Sequence, residues 1–318
     1  MDVVGSSVTI SQKTDRVDAA PDANKANRDS EDARPTGKIP QSIPVRKGSL
    51  YLDTPNSPHT KVYSMTGAKR GKVLIFNQVT FDDSDYPERI GTDKDVERLY
   101  NVLPRLGFDQ KDILVFRDYS CTEINRTAVK LEHDEELEQA DCLVVVILTH
   151  GEEGDMLMAQ DDSYHLYKFL ENFTPTSLNS MAGKPKLFIV QSCRGKKLDR
   201  GVQLRAKTLK TDSVFDSVDS QSHSKIFSYP EFADFLIVMS SHYGHYSFRN
   251  ETGSWLIQDL CNVIESCDLE TSSIYDILTE TNSAVSVRIS NADGEQNNKK
   301  QIPSFYSTLT KKLFFASK

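Results

Sequence analysis

The chain has no run approaching the roughly 18 consecutive apolar residues that a membrane-spanning helix needs, so no membrane partner is expected. Met1 to Thr9 lacks a basic segment followed by an apolar core, so no secretory signal is expected and a cytoplasmic protein is the default. Cationic surplus is also missing: 38 Lys+Arg stand against 46 Asp+Glu, for a formal charge of -8, which argues against nucleic acid as a partner. Cysteine is scarce. Cys121, Cys142, Cys193, Cys261 and Cys267 are irregularly spaced and form no CxxC pair, which excludes a disulfide framework and implies reduced thiols. Neither GxGxxG nor GxxxxGK[ST] occurs, which removes the usual support for a phosphate-binding α/β domain.

With 318 residues and 38% apolar content, the chain can build one compact domain of about 250 residues plus a tail, or two smaller domains. Residues 1 to 60 are rich in Ser, Asp, Lys, Asn and Pro without apolar rhythm, so they read as a disordered tail. From Gly71 onward the pattern changes. The runs Lys72 to Phe76, Cys142 to Leu148 and Leu187 to Val190 fit strands buried on both faces. Ile113 to Phe116, Phe235 to Met239 and, as a closing strand, Leu313 to Phe315 extend the set. Helical spacing at Val96, Leu99, Val102 or Leu103 and Leu106 follows Thr92/Asp93 as a cap and stops at Gly107, although Pro104 weakens its end. Trp255 to Ile264 and Ile274 to Leu278 read as two more helices. Strands alternating with helices predict an α/β fold with a mainly parallel sheet covered on both faces.

Two polar stretches interrupt that rhythm. Residues 196 to 229 run basic, then acidic and serine-rich, a length that points to a functional or a disordered insertion. Residues 286 to 300 read as a surface loop.

Cys193 follows a buried strand in Gln191-Ser192-Cys193-Arg194-Gly195. Taken alone, such a cysteine is more often a small core hydrophobe. His150, however, emerges in Thr149-His150-Gly151 at the end of the strongest apolar run, where open α/β sheets place their ligand crevices. Adjacent parallel strands would bring both residues to one rim, which is the layout of a Cys/His hydrolase.

These segments resemble the caspases, whose nucleophile pentapeptide and upstream histidine have this order. The resemblance spans about Gly71 to Phe315 and includes His150 to Gly154, Gly183 to Ile189, Arg89 to Asp93, Tyr246-Ser247-Phe248-Arg249-Asn250, Gly253-Ser254-Trp255 and Lys300 to Pro303. It implies a caspase-like sandwich with a central sheet of about six strands and helices on both faces. Cys193 would then be the nucleophile and His150 the proton carrier, with the amides of Gly151 and Cys193 as oxyanion hole and no metal or cofactor. Arg89, Gln191 and Arg249 match the family's primary pocket, which implies cleavage after aspartate. Tyr246, Ser247, Phe248, Asn250 and Trp255 fall at further substrate-binding positions.

The resemblance also implies a zymogen with a large subunit (61–219), a small subunit (220–318) and the linker 196–229 between them. Asp216-Ser217-Val218-Asp219 has the DxxD pattern that executioner-type caspases cut, and Asp29-Ser30-Glu31-Asp32 repeats it in the tail. Asp219 and Asp32 are thus the expected cleavage sites, with Asp212 a weaker linker alternative. The tail is too short for a recruitment domain, so an upstream initiator caspase would be the activator. A homodimer of large/small pairs, inhibitor-of-apoptosis proteins as partners and a role in executing apoptosis are further implications. Ser192 replaces the family's usual alanine and Phe248 its usual tryptophan, and the loop at 286–300 has no aromatic residue. These departures sustain a rival reading, a catalytically weak homologue that regulates other caspases as a decoy.

Overall fold

The computed structural model describes residues 14–18, 54–56, 59–202 and 230–316. Its strands are β1 (Arg16–Val17), β2 (Lys69–Asn77), β3 (Ile113–Arg117), β4 (Ala140–Leu148), β5 (Gly151–Glu152), β6 (Met156–Met158), β7 (Ser163–His165), β8 (Lys186–Gln191), β9 (Phe235–Met239), β10 (Phe248–Asn250), β11 (Gly253–Ser254) and β12 (Ser304–Ser307). The α-helices are α1 (Thr92–Val102), α2 (Cys121–Lys130), α3 (Leu166–Leu170), α4 (Trp255–Ser266) and α5 (Ile274–Val287).

The central sheet has six strands in the order β12-β9-β8-β4-β2-β3, parallel except for the edge strand β12, which runs antiparallel to β9. Every residue of β4, β8 and β9 is buried, the state that unbroken apolar runs predict for strands covered on both faces. Successive side chains point to opposite faces. Val73, Ile75, Val144, Val146, Leu187 and Val238 meet Leu99 of α1, Leu256 and Leu260 of α4 and Ile277 of α5. Leu74, Phe76, Val145, Ile147, Phe188 and Ile237 meet Ile124 of α2 and Phe169 of α3 on the other face. The result is the α/β sandwich that the sequence implied.

The closing strand differs from expectation. It is Ser304–Ser307, half polar and exposed at its centre, whereas Leu313 and Phe315 plug the core and, among the described residues, Phe314 makes an isolated bridge to Ser273. Burial, not pairing, explains that apolar run. The start of α1 differs too. Gly91 is its N-cap at φ 90°, where a Cβ would run into the Asn250 carbonyl, and Thr92 makes no cap. The Thr92 hydroxyl instead donates to Asn77 Oδ1 at 2.7 Å and accepts from Arg89 Nη1 at 2.8 Å. At its far end, α1 passes into a 3-10 turn at Leu103–Leu106 that accommodates Pro104, and Gly107 ends it at φ 89°.

Candidate functional site

The carboxyl ends of the parallel strands converge on one rim. β4 delivers His150 and Gly151, β8 delivers Ser192 and Cys193, and Thr149 N donates to Gln191 O at 3.0 Å to keep the two exits in register. Ser240, just past β9, locks the cysteine segment twice: it accepts from Ser192 N at 3.1 Å and donates to Ser192 O at 2.7 Å. Arg194 forks onto both oxygens of Asp155 at 2.7 and 3.0 Å. A rigid sheet edge therefore fixes the backbone on both sides of Cys193.

Residues 14–18, within the stretch read as a disordered tail, are placed in this rim. β1 pairs antiparallel with β10, Arg16 opposite Arg249 and Val17 opposite Phe248. Asp18 is fully buried. Its Oδ1 accepts from Arg89 Nε and Arg249 Nε, each at 3.0 Å, and its Oδ2 from Gln191 Nε2 at 2.9 Å. Its backbone carbonyl accepts from Gly151 N at 3.0 Å and Cys193 N at 3.2 Å. Any Cβ on Gly151 would run into the Cys193 carbonyl, so only glycine allows that approach. Three positions upstream, Asp15 accepts from Asn250 Nδ2 at 3.0 Å, Trp255 Nε1 at 3.2 Å and the backbone of Asn291 at 3.0 Å. Between the two aspartates, Val17 packs on the Phe248–Trp255 pair, whose rings are 5.0 Å apart.

Two guanidinium groups face one carboxylate in the pocket. Burial would raise the Asp18 carboxyl, but the guanidinium charges of Arg89 and Arg249 outweigh it and hold the group well below the usual carboxylate range. Arg89 is itself anchored to Gln78 O at 3.1 Å and to Thr92, and Arg249 to the Ile90 carbonyl. A buried ion pair is favourable only when its remaining donors are satisfied, and these anchors do most of that.

His150 Nε2 lies 2.8 Å from the Pro87 carbonyl, which can only accept. The neutral ring therefore carries its proton on Nε2 and presents a bare Nδ1, buried and without a partner among the described residues. Burial pulls this imidazole down to about 4, overriding the upward pull of Asp18. Burial and then the Asp18 charge push the Cys193 thiol up to about 12. Its sulfur accepts from Ser247 N at 3.2 Å. With the tail seated, both groups are uncharged near neutrality.

A model of the caspase domain matches residues 70–314. The chain belongs to the caspase family. It is 34% identical over 314 residues to Caspase-1 of Spodoptera frugiperda, covering 96% of this chain and 97% of that one. It is 36% identical over 264 residues to Caspase drICE of Drosophila melanogaster, covering 82% and 74%. The crystal structure of the Spodoptera frugiperda Caspase-1 superposes with a TM-score of 0.74 at 34% identity, covering 85% of this chain and 98% of that one. By that membership the protein is a cysteine-type endopeptidase.

In this caspase the positions proposed from sequence gather around Asp18: Cys193, His150, Gly151, Arg89, Gln191, Arg249 and Ser247 at one end, Asn250 and Trp255 at the Asp15 end, and Phe248 between. Tyr246 directly precedes Ser247, and its backbone N donates to Lys197 O at 3.1 Å. Asp32, Asp212 and Asp219 lie outside the described residues. Sequence reasoning missed Asp15 and Asp18, although they form a DxxD pattern as clear as the one ending at Asp32. It also missed Asn291, which acts through backbone and leaves no side-chain signal. Among the described residues no helix is long and apolar enough to cross a membrane.

Proposed function

We propose that this caspase cleaves proteins after aspartate at DxxD-like sites, with Cys193 as nucleophile and His150 as proton carrier. The observation that carries the reading is the Asp18 carboxylate on Arg89, Gln191 and Arg249 while its carbonyl rests on the amides of Gly151 and Cys193. Those amides lie where negative charge develops on a carbonyl under attack. The bare Nδ1 of His150 takes the thiol proton, the sulfur attacks, and the resulting imidazolium protonates the leaving amine. Water, deprotonated by the same nitrogen, then releases the acyl group. With Asp18 seated, thiol and imidazole start neutral, so for that occupant the thiolate arises during attack.

Glutamate is one methylene too long for a pocket whose three donor side chains close on a single carboxylate. The protein is made as a zymogen, and cutting after Asp219 separates a large subunit holding Cys193 and His150 from a small subunit holding Arg249. Two such pairs form a homodimer acting in the execution of apoptosis, downstream of an initiator caspase and subject to inhibitor-of-apoptosis proteins. The likeness to Caspase drICE and to Caspase-7 of Gallus gallus, 32% identical over 314 residues, supports the executioner assignment.

The test is expression of the wild type beside Cys193→Ala, read by aspartyl peptide reporters and by mass analysis of the linker. Wild type cuts both and the variant neither. A folded wild type that stays inert after its linker is opened at an engineered protease site overturns the reading in favour of the decoy. One observation favours that rival: the Ser192 hydroxyl is buried beside the nucleophile without a partner among the described residues.

A further inference from the structure

Two segments of this chain read aspartate, any residue, valine, aspartate: Asp15-Arg16-Val17-Asp18 and Asp216-Ser217-Val218-Asp219. The first fills the cleft of its own domain as a productive substrate would. Its carbonyl rests on two amide donors, its strand extends β10, and its two carboxylates occupy separate donor clusters. The other DxxD segment of the tail, Asp29-Ser30-Glu31-Asp32, would set the Glu31 carboxylate where Val17 meets Phe248 and Trp255. Placing a charge on an apolar wall without a partner is costly, so the seat discriminates between the two sites.

Thirty-six positions separate Asp18 from Thr54, the next described residue. That span reaches at most about 120 Å, ample for docking onto the same domain. A tether of this order supplies an effective concentration approaching the millimolar range. Few substrates in solution match it.

We propose that the chain cuts its own tail between Asp18 and Ala19 in cis, and that until the cut the tail closes the cleft to other substrates. This rests on the endopeptidase reading above. The Cys193 sulfur bonds to the Asp18 carbonyl carbon, the Asp18–Ala19 C–N bond breaks, and the proton taken from the thiol passes through His150 to the Ala19 amine. Water then splits the thioester, leaving Asp18 as a free carboxylate and restoring the thiol. Once cut, residues 1–18 are no longer tethered, so the local concentration that held them in place disappears.

Freshly purified full chain, followed by mass spectrometry, gives a new amino terminus at Ala19 and none at Ala33. The rate constant is unchanged over about 100-fold dilution, as an intramolecular step requires. Asp18→Ala removes the cut, and Asp32→Ala leaves it. A terminus at Ala33 alone, or a rate that falls in proportion to concentration, overturns the proposal. An aspartyl reporter peptide in the same tube separates the two levels: reporter cut and Ala19 absent sinks the tail site alone, while a folded protein that cuts neither sinks the endopeptidase reading with it. Occupancy is tested without catalysis in Cys193→Ala. A labelled Asp-Arg-Val-Asp peptide binds at least about tenfold more tightly when Asp18→Ala is added, because the competing occupant has been removed. Equal affinity in the two proteins shows that the tail does not hold the cleft.

Discussion

The two halves of the site are built on opposite principles. Around the Asp18 carboxylate, donors from β10, from the end of β8 and from the segment before α1 close on one charge, and the arginines are themselves anchored to Gln78, Thr92 and Ile90. In the other half, His150 Nδ1 and Ser192 Oγ are buried without partners among the described residues, and the thiol has only the weak company of Ser247. The recognition half is densely paired while Asp18 is seated, with Arg89 Nη2 and Gln191 Oε1 left without partners among the described residues. The chemical half is left with open valences, so that a proton can move when a substrate arrives.

The largest effect expected from breaking the densely paired half is at Arg249. Arg249→Ala removes one of the two guanidinium partners of the buried carboxylate and leaves Arg89 alone opposite it, a loss of about 2–5 kcal/mol. That corresponds to a fall in kcat/KM of about 10³-fold toward aspartyl reporters, measured beside circular dichroism to verify the fold. A fall of less than tenfold, with the fold intact, would place specificity elsewhere. On the chemical half, Gly151→Ala pushes the Cys193 carbonyl away and shifts the Gly151 amide, the proposed oxyanion donor. We expect kcat to drop by about 10²–10³ with KM little changed, since the donor acts on charge that appears only in the transition state.

The contrast also has a pH signature. An imidazole acts as a base only when neutral, and burial pulls His150 down to about 4, so the proposed self-cleavage of the tail should keep its rate down to about pH 4 instead of failing near 6.5. The Cys193 thiol, pushed up to about 12 by burial and the Asp18 charge, resists iodoacetamide throughout pH 6–9 while the tail is seated. Asp18→Ala admits water and removes that negative charge, and both changes lower the thiol pKa, so alkylation becomes faster and begins to titrate within the assay range. Equal alkylation rates in the two proteins would mean that the tail does not control the thiol.

How much of this was legible depends on what each residue is used for. Cys142 to Leu148 and Leu187 to Val190 could be read as strands because burial on both faces demands apolar side chains throughout. Ser304–Ser307 could not, because an edge strand is held by backbone bonds to β9 and its centre faces solvent. Leu313 and Phe315 misled for the complementary reason: their apolarity fills the core beside Phe108 and joins no ladder. At the site, residues that act through side chains stood out, while Asn291 acts through its amide and was invisible. Thr92 was legible as a cap residue but is used to hold Arg89. Asp18 and Asp32 carry the same local pattern, and only the apolar wall at Phe248 and Trp255 separates them.

Smaller effects belong to the outer donor cluster. Asn250→Ala and Trp255→Phe each remove one donor to the Asp15 carboxylate, three positions upstream of the proposed cut. Each should lower kcat/KM about three- to tenfold for an Asp-x-Val-Asp reporter, in line with about 1 kcal/mol for a single hydrogen bond. A reporter with alanine at that upstream position should be nearly indifferent to both changes. If it is affected equally, the two residues shape the cleft without reading the carboxylate.

The smallest expected change bears on whether the chemical half is poised or crippled. The Ser192 hydroxyl is fully buried without a partner among the described residues, and its side chain bounds the space beside Gly151. Ser192→Ala deletes a desolvated oxygen at little cost in packing, so stability should rise by about 1 kcal/mol. Activity should stay within about threefold, because Ser240 holds the cysteine through the Ser192 backbone, which the substitution leaves in place. A rise in kcat of a hundredfold or more would instead mean that the hydroxyl perturbs the thiol or the neighbouring amides, and the decoy reading would then describe the natural protein. The same variant measured with the tail in place and with Asp18→Ala separates a hydroxyl acting on the thiol from one acting on the seat of the tail, since only the second effect disappears when the cleft is empty.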